Sequence, residues 1–191
     1  MSQQVVATTR SAAGMPTGKL AVWWVIASEI PIFGGLICSY LMNRMTHPEW
    51  GPMAAGLNIW AGSFNTLVLL TSSLMAMLAT AAANRGDGKL AALRLRLAAL
   101  GGVIFLCVKG WEWSVELTHG HTPMAGGYFG YYFTLLGLHG LHVAIGTIIL
   151  LIIASQVSQN KHMHRPELIG LYWHFVDVVW FFLFSLFYII R

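Results

Sequence analysis

Charged side chains are scarce in this sequence of 191 residues. Asp, Glu, Lys and Arg make up 9% of it and hydrophobic residues 57%, whereas a typical soluble domain carries about 25% charged residues. This shortage excludes an ordinary soluble domain and predicts an integral membrane protein. The net charge of +4 does not indicate a nucleic-acid partner, because the basic residues lie in short segments between apolar runs.

Cysteine is nearly absent, with Cys38 and Cys107 as its two occurrences. Each lies within an apolar run, and two such residues give little support to a disulfide framework. We therefore expect both to be buried as small hydrophobic side chains. They leave the redox compartment undetermined.

Polar linkers long enough to hold a second folded domain are also missing. Residues 1–18 are predicted to be a polar N-terminal segment, without the apolar core and cleavage site of a signal peptide. Residues 19–191 are predicted to form one transmembrane domain. Its apolar segments are residues 20–42, 58–83, 91–117, 128–157 and 168–190. Each exceeds the ~20 residues that cross a bilayer, and lipid requires helices here, so the predicted fold is all-α with five transmembrane helices.

Lysine and arginine are distributed unevenly between the two sides of this predicted bundle. One side holds Arg10, Lys19, Arg85, Lys89, Arg94, Arg96, Lys161 and Arg165. The other side holds Arg44 and Arg191. The positive-inside rule then predicts a cytoplasmic N-terminus and a C-terminus outside. Tryptophans near the helix boundaries are typical of interfacial belts. They are Trp23, Trp24, Trp50, Trp60, Trp111 and Trp113.

Glu29 is the acidic residue predicted to lie deepest in the membrane. It lies about 13 Å beyond Leu20 along the first helix, near the middle of the bilayer. An ionisable side chain at that depth costs about 2.5–3.5 kcal/mol on insertion scales. Its carboxyl is therefore expected to be either protonated or paired with a partner. Pro31 and the glycines at 34 and 35 follow it and permit a kink or a close neighbour.

Two pairs of ionisable residues lie three residues apart in the last two helices. They are His139 with His142, and His174 with Asp177. Residues at this spacing face the same way. A bis-histidine haem would need one imidazole from each of two helices, and a metal site would need three or four ligands. The alternative is a polar network that holds the helices together, and spacing alone leaves both open. Nearby small residues would permit close packing: Gly137, Gly140 and Gly146.

A charged face is predicted near the outer end of the third helix. Lys109, Glu112 and Glu116 lie at spacings of three and four. We expect Lys109 to pair with Glu112 while Glu116 extends outward, an arrangement that needs no function beyond stability. His119 and His121 follow in a loop, where solvated side chains are expected rather than metal ligands.

Several of these residues belong to recognisable motifs. Residues 172–180 (YWHFVDVVW) strongly resemble the closing motif of subunit III of cytochrome c oxidase and its quinol oxidase relatives. Residues 137–143 (GLHGLHV) look like the penultimate-helix motif of that family, and Ser28-Glu29 with Phe33 looks like its acidic motif. Residues 65–70 (NTLVLL) and the region of Glu112 follow the expected order. The resemblance covers roughly residues 19–191.

The resemblance implies an accessory subunit with no redox centre or metal of its own. Such a subunit lies beside subunit I of a haem–copper oxidase, with subunit II and other small subunits, in the plasma membrane of a bacterium. Haem and copper are expected in those partners, which couple oxygen reduction to proton translocation. The family subunit supports proton uptake and protects the catalytic subunit from turnover-linked inactivation.

The resemblance also assigns roles to individual residues. Glu29 corresponds to the carbodiimide-reactive membrane carboxylate of the family. The other motif positions correspond to residues whose family role looks structural rather than ligating: His139, His142, His174 and Asp177. Two departures stand out. The first two helices of the seven-helix members, which form one arm of a lipid-holding cleft, are missing, so phospholipid binding stays open. Pro31 replaces an apolar motif residue, and a bend there would displace Glu29.

Three other functions stay open at this stage. A subunit III-like protein associated with bacterial nitric oxide reductases shares these motifs. A free-standing haem-binding cytochrome would use the histidine pairs. A small proton-coupled transporter would use Glu29 and Asp177, although the lack of internal repeats counts against it. The electron donor, cytochrome c or quinol, is not encoded here because donor sites belong to other subunits.

Overall fold

A computed structural model describes residues 17–124 and 127–190. Within these ranges the protein is helical and contains no strand. The predicted polar segment of residues 1–18 lies almost entirely outside them, as do Arg10 and Arg191 of the charge pattern. The helices are α1 (Thr17–Thr46), α2 (Trp50–Ala55), α3 (Ile59–Asn84), α4 (Gly88–Thr118), α5 (Gly127–Val157) and α6 (Arg165–Phe184), followed by a π-helical turn (Ser185–Ile189).

Five of these elements are long and apolar enough to cross a membrane: α1, α3, α4, α5 and α6 with its π-helical turn. The predicted all-α fold with five transmembrane helices is therefore confirmed. Its predicted helix limits differ from the observed ones by at most four residues. The short α2 was not predicted, because its six residues include Gly51 and Pro52 and are too few to show a helical period.

Small residues bring the central helices together. A Cβ added to Gly101 of α4 would lie 2.7 Å from the Cβ of Ser72 on α3. One added to Gly146 of α5 would lie 2.7 Å from the Trp173 ring on α6. Close approach through small side chains is the usual way that helices associate in lipid. Gly146 thus has the packing role expected for it, and α3, α4, α5 and α6 together form the main body of the bundle.

Helix α1 packs more loosely on the outside of α5 and α6. Its buried residues, Ile26, Phe33 and Tyr40, are spaced seven apart and form a single seam. The helix continues through Pro31. No described atom lies within 4 Å of a Cβ added to Gly34 or Gly35, so no neighbour occupies the space that these glycines leave.

The bundle has two chemically different ends. Lys19 of α1 bonds Glu167 of α6 at 2.6 Å, and a Cβ on Gly88 would lie 2.3 Å from Asn160 Oδ1. The starts of α1, α4 and α6 therefore share one end with the last residues of α3 and α5. We call it the basic end, since it carries Lys19, Arg85, Lys89, Arg94, Arg96, Lys161 and Arg165. Arg44 lies at the opposite end, where it bonds Tyr40 at 2.8 Å.

Two expectations about single side chains are wrong. Cys38 and Cys107 are exposed rather than buried, because they lie on outward sides of α1 and α4, where lipid accepts an apolar group. Trp50 is 5% exposed because α2 folds over the end of the bundle, where Trp50 stacks on Tyr40 with ring centroids 5.8 Å apart. Four other tryptophans are exposed, as an interfacial belt requires: Trp23, Trp24, Trp60 and Trp111.

Candidate functional site

Glu29 of α1 faces His142 of α5. Glu29 Oε2 lies 3.3 Å from His142 Nε2, and the two side chains are 16% and 13% exposed. The other ring nitrogen, Nδ1, donates to the Leu138 carbonyl at 2.8 Å. A neutral imidazole that donates through Nδ1 carries a lone pair on Nε2. His142 Nε2 therefore faces the carboxyl with its lone pair, and Glu29 Oε2 has no hydrogen-bond partner among the described residues.

An apolar cavity of about 460 Å³ leads from the basic end to this pair. It lies between α1, α5 and α6. Its walls include Val25 and Ile149, and Glu29 and His142 line the part farthest from the basic end. The Tyr172 hydroxyl also reaches this part and donates to the His142 carbonyl at 3.2 Å. The bend that Pro31 could introduce does not move Glu29 away from α5.

His174 and Asp177 of α6 face α3 instead. His174 Nδ1 and Ser73 Oγ lie 2.5 Å apart. Asp177 lies one turn further along α6, and its two carboxylate oxygens are buried without a hydrogen-bond partner among the described residues. A groove of about 320 Å³ runs between α3 and α6 from the basic end to His174.

His139 lies apart from both places. It is 1% exposed, with the Trp180 ring stacked on it at a centroid distance of 5.4 Å and the Phe105 ring edge-on at 5.4 Å. Neither ring nitrogen has a partner in the described part of the chain. The aromatic rings that enclose the imidazole leave no room for a porphyrin beside it.

The residues predicted to form one polar network therefore lie in three separate places. His139 and His142 lie about 60° apart around α5, so that His139 meets the rings of Phe105 and Trp180 on α4 and α6, whereas His142 meets Glu29 on α1. Within residues 17–124 and 127–190 no group of three His, Cys, Asp or Glu side chains could hold a metal ion. The imidazoles of His139, His142 and His174 do not line a common cavity there, so these three residues do not fit a bis-histidine haem.

A fourth place is the charged cluster of Lys109, Glu112, Tyr132 and Tyr188, in which all four side chains are buried. Lys109 Nζ donates to Glu112 Oε2 at 2.9 Å and to the Tyr188 hydroxyl. The Tyr132 hydroxyl donates to Glu112 Oε1 at 3.1 Å, and the Tyr188 hydroxyl donates to the same oxygen. The ammonium also lies 5.3 Å from the centroid of the Trp180 ring. The pair expected from spacing is therefore present, within a larger network.

Glu116 does not extend outward as expected. It is 9% exposed, and His121 Nδ1 lies 2.7 Å from its Oε2. His121 in turn stacks on Phe129 with centroids 4.0 Å apart, so it is not a freely solvated loop residue. The expectation for Glu116 is wrong because the loop after α4 folds back over the end of that helix. His119 donates through Nδ1 to the Val115 carbonyl at 2.9 Å.

Sequence reasoning missed Ser73 and Tyr188. Ser73 carries a hydroxyl inside an otherwise apolar helix, next to Ser72, and that pair of serines was the available signal. Tyr188 gave no such signal in the sequence, since an aromatic residue near the end of a membrane helix is ordinarily an interfacial anchor.

The chain resembles known proteins along nearly its whole length. The profile of the family described as Cytochrome c oxidase subunit III matches residues 6–191. The chain belongs to this family. The resemblance drawn from its motifs is therefore confirmed, and the protein is an accessory subunit III of a haem–copper oxidase.

Named relatives of this subunit III chain come from several bacteria. Cytochrome c oxidase subunit 3 of Thermostichus vulcanus is 31% identical over 170 residues, which cover 86% of this chain and 83% of the relative. Probable cytochrome c oxidase subunit 3 of Mycobacterium leprae is 32% identical over 178 residues, covering 89% and 85%. Probable quinol oxidase subunit 3 of Staphylococcus haemolyticus is 32% identical over 178 residues, covering 90% and 88%. Subunit III is therefore a multi-pass membrane protein in an oxidoreductase complex.

Proposed function

We propose that this subunit lies beside catalytic subunit I in the plasma membrane of a bacterium, with its basic end in the cytoplasm. The excess of lysine and arginine at that end supports the orientation. The named relatives belong to cytochrome c and quinol oxidases, which favours oxygen over nitric oxide as the substrate of the complex. Haem and copper reside in the partner subunits, and this chain contributes no catalytic group of its own.

Subunit III has two tasks in this proposal, which are to stabilise subunit I and to support its proton uptake. The Glu29–His142 pair is the observation that carries the second task. A carboxyl and an imidazole 3.3 Å apart are close enough to pass a proton from one to the other. The apolar walls of the cavity keep bulk water away from the pair.

Carbodiimide labelling of the intact complex tests the role of Glu29. A hydrophobic carbodiimide enters apolar regions and adds to a protonated carboxyl. We expect it to label Glu29 near neutral pH, with the modified peptide identified by mass spectrometry. Glu29→Gln should abolish that label while subunit III remains in the complex. A water-soluble carbodiimide is the matched reagent, and it should label exposed Glu49 instead. Undiminished labelling in Glu29→Gln would contradict the assignment.

The face formed by α3 and α6 is our proposed contact with subunit I. Its exposed side chains are apolar, among them Leu67 and Leu70 of α3 and Phe181 of α6. His174 lies beside them at the edge of the open α3–α6 groove, and a polar group of this kind is expensive against lipid. Contact with subunit I would replace lipid at this face and remove the free-energy cost. Copurification in mild detergent checks this, with a haem–copper partner and oxygen-reducing activity expected. A Soret band from the chain alone would instead support a free-standing cytochrome.

A further inference from the structure

A small pocket opens at the end of the bundle opposite the basic end. We call this end the outer end. The pocket has a volume of about 260 Å³ and lies between α2, the start of α3, the last turns of α4 and the loop after α4. None of its described lining residues is a lysine or an arginine, although two of them carry carboxyl groups. The polar and aromatic lining residues are Asn58, Trp111, Glu112, Glu116, His119 and His121.

The two carboxyl groups of the pocket differ in how they are partnered. Both oxygens of Glu112 are bonded, and Lys109 balances its charge at 2.9 Å. Glu116 Oε2 lies 2.7 Å from His121 Nδ1, and a neutral imidazole can donate this bond. Glu116 Oε1 receives no hydrogen bond from the described residues. Glu116 is 9% exposed, and buried polar atoms nearly always have a partner. Its free oxygen therefore needs a donor from beyond the described residues.

The pocket fits the side chain of an arginine. Its volume lies below the range of about 300–1,000 Å³ that small-molecule sites occupy, so it suits a single inserted side chain. Trp111 lines it and is exposed, and an indole ring attracts a cation over its face. A guanidinium is planar, so it can stack on an aromatic ring and donate to a carboxylate at the same time. Trp111 and Glu116 together therefore favour arginine over lysine.

The pocket lies at the edge of the proposed contact with subunit I. Trp60, Phe64 and Leu67 are exposed on α3 at spacings of four and three, which place them on one face of that helix. This apolar stripe extends the proposed contact to the start of α3. Asn58 caps the same helix end by accepting from the Trp60 backbone N–H, and it lines the pocket. A segment of a neighbouring subunit that reaches this end of α3 is therefore beside the pocket.

We propose that the outer-end pocket receives an arginine side chain from a neighbouring oxidase subunit, and that Glu116 accepts its hydrogen bond. The inference rests on the proposed assembly of this chain with the catalytic subunit. Glu112 is already paired with Lys109, so the available carboxylate is that of Glu116. The ethanolamine headgroup of a lipid is the competing occupant, since it also carries a positive charge. It lacks the planar group that Trp111 and Glu116 together favour.

Dissociation of subunit III from the purified oxidase in mild detergent tests the proposal. Glu116→Gln removes the charge, whereas His121→Gln removes the internal partner and keeps the carboxylate. Glu49→Gln is the matched control, because Glu49 lies at the same end and its side chain is 57% exposed. The amount of subunit III that remains bound is followed with time at low and at high salt. If no subunit III copurifies with the unaltered oxidase, the proposed function itself fails.

We expect subunit III with Glu116→Gln to dissociate about tenfold faster, since removing one partner of a buried charge pair acts mainly on the dissociation rate. Salt should accelerate dissociation of the unaltered subunit more than that of this variant. His121→Gln and Glu49→Gln should stay within about threefold of the unaltered rate. Equal rates for Glu116→Gln and His121→Gln would mean that the carboxylate only fixes its own loop, and would overturn the inference. Equal rates for Glu116→Gln and Glu49→Gln would overturn it too.

An arginine-selective reagent identifies the occupant and needs only the unaltered protein if Glu116→Gln fails to assemble. Phenylglyoxal modifies accessible guanidinium groups, and mass spectrometry locates them. We expect one arginine of a neighbouring subunit to be protected in the intact complex and modified after subunit III is depleted. The inference is overturned if every arginine of the neighbouring subunits reacts equally in both preparations. Bound ethanolamine lipid that is lost in Glu116→Gln, without any protected arginine, assigns the pocket to lipid and overturns it as well.

Discussion

The Lys109 cluster and the Glu29–His142 pair both bury ionisable groups in the membrane, but they differ in how completely those groups are partnered. Glu112 accepts hydrogen bonds at both carboxylate oxygens, from Lys109 and two tyrosines. Glu29 Oε2 lies 3.3 Å from His142 Nε2, receives no hydrogen bond from the described residues, and faces an open cavity. A fully bonded ion pair holds its protons in place, whereas a carboxyl and an imidazole that no hydrogen bond locks together are free to exchange one. We expect the first arrangement to serve stability and the second to serve proton transfer.

Removal of Lys109 is expected to have the largest effect. Lys109→Met fits the same space but leaves the Glu112 carboxylate buried without its ammonium. Breaking a buried ion pair in this way costs about 3–5 kcal/mol. Unfolding in mixed detergent, followed by circular dichroism, measures the loss. Lys89→Met removes an exposed lysine from the same helix and is the matched control, while Glu29→Gln should cost no more than about 1 kcal/mol.

The same cluster allows a sharper form of this test. Lys109→Met combined with Glu112→Gln removes both charges, so the double variant should be more stable than Lys109→Met alone. If Glu29→Gln destabilised the protein as much as Lys109→Met, the two sites would not differ in the way argued above.

Tyr188→Phe should have an intermediate effect. The Tyr188 hydroxyl donates to Glu112 and accepts from Lys109, so its loss leaves both charged groups with one bond fewer. Hydrogen bonds to charged groups contribute about 1.5–3 kcal/mol, and we expect a loss in that range in the same unfolding assay. Tyr131→Phe, which removes a half-buried hydroxyl bonded to Ser39 and Asn43, is the control. Equal losses of stability in Tyr188→Phe and Tyr131→Phe would mean that the charges do not strengthen the hydrogen bonds of Tyr188.

The difference between the two sites also marks the limit of what the sequence predicts. The five helices follow from apolar length, since lipid accepts no other backbone structure for these segments. The Lys109–Glu112 pair follows from spacing within one helix. Contacts within a helix depend only on its period, which is the same in every α-helix.

Contacts between helices depend on rotation and depth, which spacing does not encode. Glu29 and His142 were both recognised as candidates, but their contact depends on how α1 seats against α5. His139 and His142 were grouped by their spacing, yet about 60° of rotation separates them into an aromatic core and a cavity. Glu116 was misjudged for a related reason, because the loop that carries His121 folds back over α4.

Asp177→Ala should have the smallest effect on the folded chain. Its oxygens receive no hydrogen bond from described residues, so truncation breaks no bond within the bundle. We expect somewhat weaker retention of subunit III in the complex, by about 1 kcal/mol or less, and an unchanged haem spectrum. Val178→Ala, at the exposed neighbouring position, is the control for lost side-chain volume. A shifted haem band in Asp177→Ala would mean that this carboxyl acts on a redox centre and does more than hold the subunit in place.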